Sequence, residues 1–133
     1  MLEEREMNRK LTHMIVAIVI VIAALPAFAG NSYREYSKSD FQESSEEYKV
    51  LFFYASWCSF CKDADRKLSQ GEGRIPDNVV VYKTDFDSEK KLKKQYGVFS
   101  RHTFVLVDRE GNELTQWNGG DIELLIDKVQ EYM

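Results

Sequence analysis

Two cysteines, Cys58 and Cys61, are the only ones in the chain, and they stand in the stretch Trp57-Cys58-Ser59-Phe60-Cys61. That spacing suits a redox couple, a pair of ligands for a soft metal ion, or a disulfide that staples the start of a helix. A redox couple needs one thiol ionised near neutral pH and a second within reach of it. The flanking sequence meets both conditions. Val50 to Ala55, VLFFYA, is a continuous run of β-branched and aromatic residues, as expected of a strand buried on both faces, and Cys58 to about Gln70 reads as a helix with Cys61, Ala64 and Leu68 at spacings of three and four. A strand feeding a helix puts Cys58 at the helix N-terminus, where unpaired backbone N–H groups and the helix dipole favour a thiolate. Cys58 is then the attacking sulfur. Cys61, one turn on, can reach back to it and release a bound partner as a free thiol. A staple is a weak reason to have the pair, because closing so short a loop constrains the unfolded chain only slightly.

The rest of the chain must hold this pair in place. At 133 residues, 44% hydrophobic and 30% charged, it is long enough for one globular core. A formal charge of −4 argues against a nucleic-acid binder, which needs a basic face. Two cysteines are too few for a disulfide scaffold, so packing must supply the stability.

Met14 to Ala29, MIVAIVIVIAALPAFA, follows Arg9 and Lys10 and closes on Ala27-Phe28-Ala29. It reads as a secretory signal, residues 1–29, cleaved after Ala29; a retained N-terminal membrane anchor is the alternative. Glu3, Glu4 and Glu6 sit awkwardly in such a leader, and initiation at Met7 would remove them. The expected location is extracytoplasmic, periplasmic or secreted, where disulfides persist.

Beyond the leader, residues 30–38 read as a linker or a short first strand, and 39–133 as one domain. A helix capped at Ser39-Asp40 is expected to run to about Tyr48. VVVYKTD, from Val79, is a second strand parallel to the first; Ser88 to Tyr96 is a charged helix, capped by Asp87 or Ser88, with Glu89 and Lys93 as a supportive pair four apart on a solvated face. TFVLVD and ELTQW flank a turn-rich connector and form an antiparallel hairpin. Asp121 to Tyr132 carries Ile122, Leu125, Ile126 and Val129 at helical spacing. The fold class is therefore α/β, a central mixed sheet with helices on both faces.

From about Ser39 onward the chain resembles the thioredoxin-like thiol-disulfide oxidoreductases of the exported WCxxC type. The resemblance rests on FYASWCSFCK between strand and helix, YKTDFD, YGV, TFVLVD and the glycine pair before the last helix. It implies the thioredoxin fold, a redox-active disulfide between Cys58 and Cys61 as nucleophile and resolving cysteine, Trp57 on the surface beside them, and Lys83 near the site. It implies no bound cofactor, a monomer, cysteine-containing exported proteins as partners, and a membrane protein as electron donor where the chain acts as a reductant. Three departures stand out. Ser59-Phe60 is not the dipeptide of the familiar reducing or strongly oxidising members, leaving the direction of electron flow open. Phe52 occupies the place of a buried acid that assists proton transfer at the resolving cysteine, a step left to water or Lys83. His102 occupies the place of a cis-proline facing the cysteines.

A cis bond before a residue other than proline costs about 2.5–4 kcal/mol, so the Arg101-His102 bond is expected to be trans. His102 is expected close to Cys58, where an imidazole could stabilise the thiolate or shuttle a proton. Cys58, Cys61 and His102 also form the metal-binding alternative, three soft ligands for zinc or copper. A structural zinc site needs a fourth, and the other histidine, His13, lies in the leader.

Overall fold

The computed structural model describes residues 2–13 and 31–133, together with the backbone of 14–23. Two units result, Met1–Gly30 and Asn31–Met133. In the first, α1 (Leu2–Ala23) is a helix. Among the described residues no helix is long and apolar enough to cross a membrane. The expected cleavage point after Ala29, with Pro26 ahead of it, lies outside the described residues, as do the side chains of the apolar run from Met14.

The second unit is a five-stranded mixed sheet in the order β1-β3-β2-β4-β5. Its strands are β1 (Tyr33–Glu35), β2 (Tyr48–Tyr54), β3 (Val79–Asp85), β4 (Thr103–Asp108) and β5 (Glu113–Asn118). Pairing is parallel for β1 with β3 and for β2 with β3, and antiparallel for β2 with β4 and β4 with β5. The helices are α2 (Lys38–Glu43), α3 (Ser59–Gln70), α4 (Lys90–Gln95) and α5 (Ile122–Gln130).

The continuous apolar runs have the origin expected of them. Along β2, Val50 and Phe52 enter one core with Cys61, Ala64 and Leu68 of α3 and Leu125 and Val129 of α5, while Leu51 and Phe53 enter a second with Phe41 of α2 and Leu92 of α4. Each face of the central strands is covered, so alternation along the strand separates two cores rather than core from solvent. At the close approach of α3 to α5 a Cβ on Gly71 would come within 2.5 Å of Ile122 Cδ1, so only glycine fits there without displacement.

Several boundaries differ from the sequence reading. Residues Tyr33–Glu35 form a strand, which the reading left open against a linker. The cap of α2 is Ser37, whose Oγ accepts from Asp40 N at 3.2 Å, and the helix ends at Glu43 because Tyr48 is already in β2. Helix α4 begins later than expected: Asp85 Oδ1 accepts from the backbone N–H of both Asp87 and Ser88, at 2.8 and 2.9 Å, and holds them in a turn, leaving Glu89 as a cap without a side-chain bond. Glu89 and Lys93 make no ion pair among the described residues; Lys93 Nζ instead lies 3.8 Å from the Phe86 ring centroid.

Lys49 also points into the second core. It is 1% exposed, and its Nζ donates to Phe41 O at 2.7 Å and Arg109 O at 3.0 Å, tying α2 to the β4–β5 turn. Burial lowers its pKa, against the pull of nearby carboxylates such as Glu46 and Glu110. Lys49→Met keeps the apolar stem and leaves both carbonyls without their donor. The expected loss is about 1–3 kcal/mol, read as a lower urea midpoint at unchanged slope. An unchanged midpoint would mean that desolvating the ammonium costs as much as its two bonds contribute.

Candidate active site

Helix α3 begins where the reading placed the reactive sulfur. Cys58 is its N-cap, in extended conformation (φ −100°, ψ 111°), and its Sγ accepts from Cys61 N at 3.2 Å. Cys58 N bonds back to Ala55 O at 3.1 Å, which closes the turn between β2 and α3. A capping sulfur receives the unpaired N–H groups of the first turn, an arrangement that favours negative charge on it. Burial opposes ionisation of Cys58, but hydrogen bonds from the Cys61 thiol and backbone N–H outweigh it with the help of Arg101, so the pKa falls below the ordinary thiol value. Cys61 moves the other way. Its burial, followed by the neighbouring Cys58 sulfur, pushes it up to about 11. Two thiols three residues apart are thus divided into an ionisable one and one that keeps its proton.

Cys58 and Cys61 are both free thiols here. Cys61 is fully buried and Cys58 is 4% exposed, whereas Trp57 is 58% and Phe60 73% exposed. The aromatic side chains that flank the pair in sequence are thus the exposed part of the motif, and both sulfurs lie beneath the surface. Trp57 is fixed on its polar edge, Nε1 donating to Asp87 Oδ2 at 2.9 Å, and on its face by Arg101, whose Cζ stands 4.6 Å from the ring centroid.

The Arg101-His102 bond is trans, as expected. His102 adopts φ +61°, a left-handed conformation unusual for a residue with a side chain. Three bonds hold it: His102 N donates to Phe53 O at 2.8 Å, His102 O accepts from Gly119 N at 2.7 Å, and ring Nε2 pairs with Gly120 O at 2.8 Å. Gly120 itself has φ +82°, and a Cβ there would meet Leu124 Cδ2 at 2.6 Å, so the acceptor depends on glycine. The ring is therefore the donor to that carbonyl and lies against Phe52 and Phe104, at centroid distances of 6.0 and 5.9 Å. Backbone groups of Ala55 and, to a lesser extent, His102 lower the Cys61 pKa against the burial that raises it. A ring committed in this way is poorly disposed to share a metal with the sulfurs. Among the described residues no group of three or more His, Cys, Asp or Glu could hold a metal ion.

Lys83 is directed elsewhere. Its Nζ lies 3.1 Å from Asp65 Oδ2, 3.5 Å from Glu35 Oε1 and 4.3 Å from the Tyr54 ring centroid, and Tyr33 Oη donates to Asp65 Oδ1 at 2.6 Å. Burial pulls the Lys83 pKa down, but Asp65 and then Glu35 raise it further, and the net shift is upward. An ammonium held this firmly is a poor proton donor to Cys61. Phe52 fills the place of the missing acid, fully buried and stacked on Phe104 at 4.5 Å, which stacks in turn on Trp117 at 5.4 Å.

Sequence reasoning passed over Arg101, Asp65 and Asn118. Arg101 entered only as one side of a peptide bond, although a cation beside the position that faces the cysteines was a usable signal. Asn118 Nδ2 bonds Ser100 Oγ, Arg101 O and Thr103 Oγ1, at 3.0, 2.9 and 3.0 Å, and so clamps the loop that carries Arg101 and His102. Nothing in the sequence marks that clamp.

Known proteins share this architecture. The Thioredoxin family model matches residues 32–131. Thioredoxin-1 of Drosophila yakuba is 36% identical over 72 residues, 54% of this chain and 66% of that protein. The chloroplastic thioredoxin-like protein HCF164 of Arabidopsis thaliana is 31% identical over 121 residues, 82% of this chain and 44% of that one. The chain thus spans about two thirds or less of the length of these curated relatives. Among solved structures, Trxlp from Edwardsiella tarda superposes with a TM-score of 0.61 at 25% identity, covering 74% of this chain and 97% of that one. The Schistosoma mansoni thioredoxin preprotein does so at 0.65 and 18% identity over 77% and 99%, a likeness of fold. With the sheet order, the capping thiol and the family match over residues 32–131 together, the chain belongs to the thioredoxin family of thiol-disulfide oxidoreductases.

Proposed function

We propose that the protein is an extracytoplasmic thiol-disulfide oxidoreductase that exchanges electrons with cysteines of exported proteins through Cys58 and Cys61. The observation that carries this reading is the division of the pair: an N-capping Cys58 with a lowered pKa beside a buried Cys61 raised to about 11. The Cys58 thiolate attacks a substrate disulfide, one sulfur of which leaves as a thiolate and takes up a proton. Cys61, once deprotonated, attacks Cys58 in the mixed disulfide and expels the second substrate sulfur. Two electrons pass from the pair to the substrate, and the reverse sequence oxidises a dithiol.

The rim of exposed aromatics limits what can enter. With Cys58 only 4% exposed beside Trp57 and Phe60, the partner sulfur must come from an extended or protruding segment. Support for an extracytoplasmic site is the apolar run that follows Arg9 and Lys10, whose removal at Ala29 or retention as an anchor would both present the domain outside the cytoplasm. A reductant there needs a membrane partner to resupply electrons. Equilibration of the full chain with glutathione redox buffers is the test: the Cys58–Cys61 couple is expected to interconvert as one two-electron step. A dithiol that fails to exchange across the accessible range of potentials would overturn the reading.

A further inference from the structure

The cation on the rim has no part in the mechanism as written above, yet it stands over Trp57, the residue that precedes the reacting sulfur. Arg101 is exposed and belongs to the loop that crosses the end of the sheet beside α3. Its backbone is fixed by Asn118 Nδ2 on its carbonyl oxygen and, one residue on, by the bond from His102 N to Phe53 O. Its guanidinium stands over the ring of Trp57, the residue bonded to Cys58, and Trp57 is held at its polar edge by Asp87. The side chain is thus anchored at both ends, in an orientation that the indole enforces. Stacking spends little of the guanidinium's hydrogen-bonding capacity, because the five N–H donors lie in the guanidinium plane and stay free at its edge.

We propose that Arg101 stabilises the Cys58 thiolate beyond what the Cys61 donors supply, and that it biases the Cys58–Cys61 pair toward its reduced form and so toward taking electrons from substrate dithiols. The proposal rests on the oxidoreductase reading and deepens it. A fixed cation beside Cys58 stabilises the thiolate, which exists only in the dithiol state. Its charge therefore raises the reduction potential of the couple relative to the same site without it. Burial resists ionisation of Cys58, donors from Cys61 outweigh it and lower the pKa, and the charge of Arg101 adds to them, which agrees with this. Lys62, beside Cys61 on α3, is exposed, and the two positive candidates from the sequence reading do not compete. Lys83 is committed to Asp65 and Glu35, and the His102 ring to Gly120 O.

The test compares Arg101→Gln and Arg101→Lys with the parent in the full chain, folding being checked by circular dichroism. Alkylation by iodoacetamide as a function of pH reports Cys58 alone, because Cys61 is fully buried. Equilibration with reduced and oxidised glutathione reports the couple. In Arg101→Gln the Cys58 pKa is expected to rise by about one unit, and the equilibrium to move about tenfold toward the disulfide form, equivalent to about 30 mV for a two-electron couple. Arg101→Lys should recover part of both shifts, since it returns the charge without the planar stack. A Gln variant within about twofold of the parent on both measures overturns the proposal, and so does a Lys variant that matches Gln, the result expected of a merely steric role at Trp57. Failure of the parent itself to exchange with glutathione would strike the oxidoreductase reading instead, while the alkylation series would still decide whether Arg101 governs the thiolate.

Discussion

Cys58→Ser is expected to reduce disulfide exchange by at least about a thousandfold, to the assay background, and to leave the fold and its melting temperature essentially intact. Serine cannot form the mixed disulfide, and its hydroxyl does not ionise at neutral pH, so the first step has no nucleophile. The structural role of the position survives the change. Cys58 caps α3 by accepting from Cys61 N, and a serine oxygen is a better acceptor in that place. Loss of activity with retained stability separates redox work from stapling, which would have made stability the casualty. Cys61→Ser is the complementary case. Attack by Cys58 persists, resolution does not, and the chain is expected to accumulate as a mixed disulfide with its substrate, visible as a mass increase that dithiothreitol removes. Insulin reduction or thiol release from a peptide disulfide, with thermal melts of both variants, provides the measurements.

The parts of this site that could be read along the chain are those encoded locally. VLFFYA announces a doubly buried strand because every residue in it is apolar, and a strand that leads through a short turn into Trp57-Cys58 fixes the helix N-terminus within a residue. Strands β3 and β4 were legible for the same reason. Local patterns failed where competing acceptors stood close together. Ser37, Ser39 and Asp40 all qualify as caps, and which one starts α2 depends on Arg34, which pairs with Asp40 at 2.7 Å and so holds that carboxylate on β1's side. The start of α4 depended on Asp85 reaching forward to two backbone donors, a bond that ordinary capping rules do not rank above Asp87 or Ser88. A three-residue strand such as Tyr33–Glu35 is too short to show any period at all.

The chemistry of the site divides along the same line. The cysteine pair and Trp57 are neighbours in sequence and were visible together. The surroundings of the pair come from elsewhere in the chain: Arg101 from the loop before β4, Asp87 from the turn after β3, and Gly120 from the turn before α5. The fate of the His102 imidazole turned on a carbonyl eighteen residues away. The acid that pairs with Lys83 is Asp65 on α3, while the strand position opposite Lys83 holds Phe52. A sequence can show that a cation, an acid or an imidazole is present; which of them reaches the sulfur is decided by tertiary contacts.

Phe52 supplies the most demanding test of that arrangement. Phe52→Asp places a carboxyl at the strand position, inside a core built around an aromatic stack, and is expected to be the most destabilising single change considered. Losing the ring against Phe104 and its neighbours costs about 3–5 kcal/mol even where the new group is neutral, a large part of the roughly 5–15 kcal/mol available to a domain. The carboxylate adds to this at neutral pH. Buried among apolar side chains, its folded-state pKa must rise above the unfolded value near 3.9. Destabilisation relative to the parent is therefore smallest below about pH 4 and grows as pH rises through the folded-state pKa. Urea unfolding of both chains at about pH 4 and pH 7 is expected to show a stability difference at least about 1 kcal/mol larger at the higher pH. Lys83 decides whether this holds, because its Cα is the cross-strand partner of Phe52 and its ammonium is now shared between Asp65 and Glu35. An equal difference at both pH values would mean that Lys83 abandons those carboxylates for the new one. The charge pair of the strand position would then be latent in this fold, and Phe52 alone would keep it from forming.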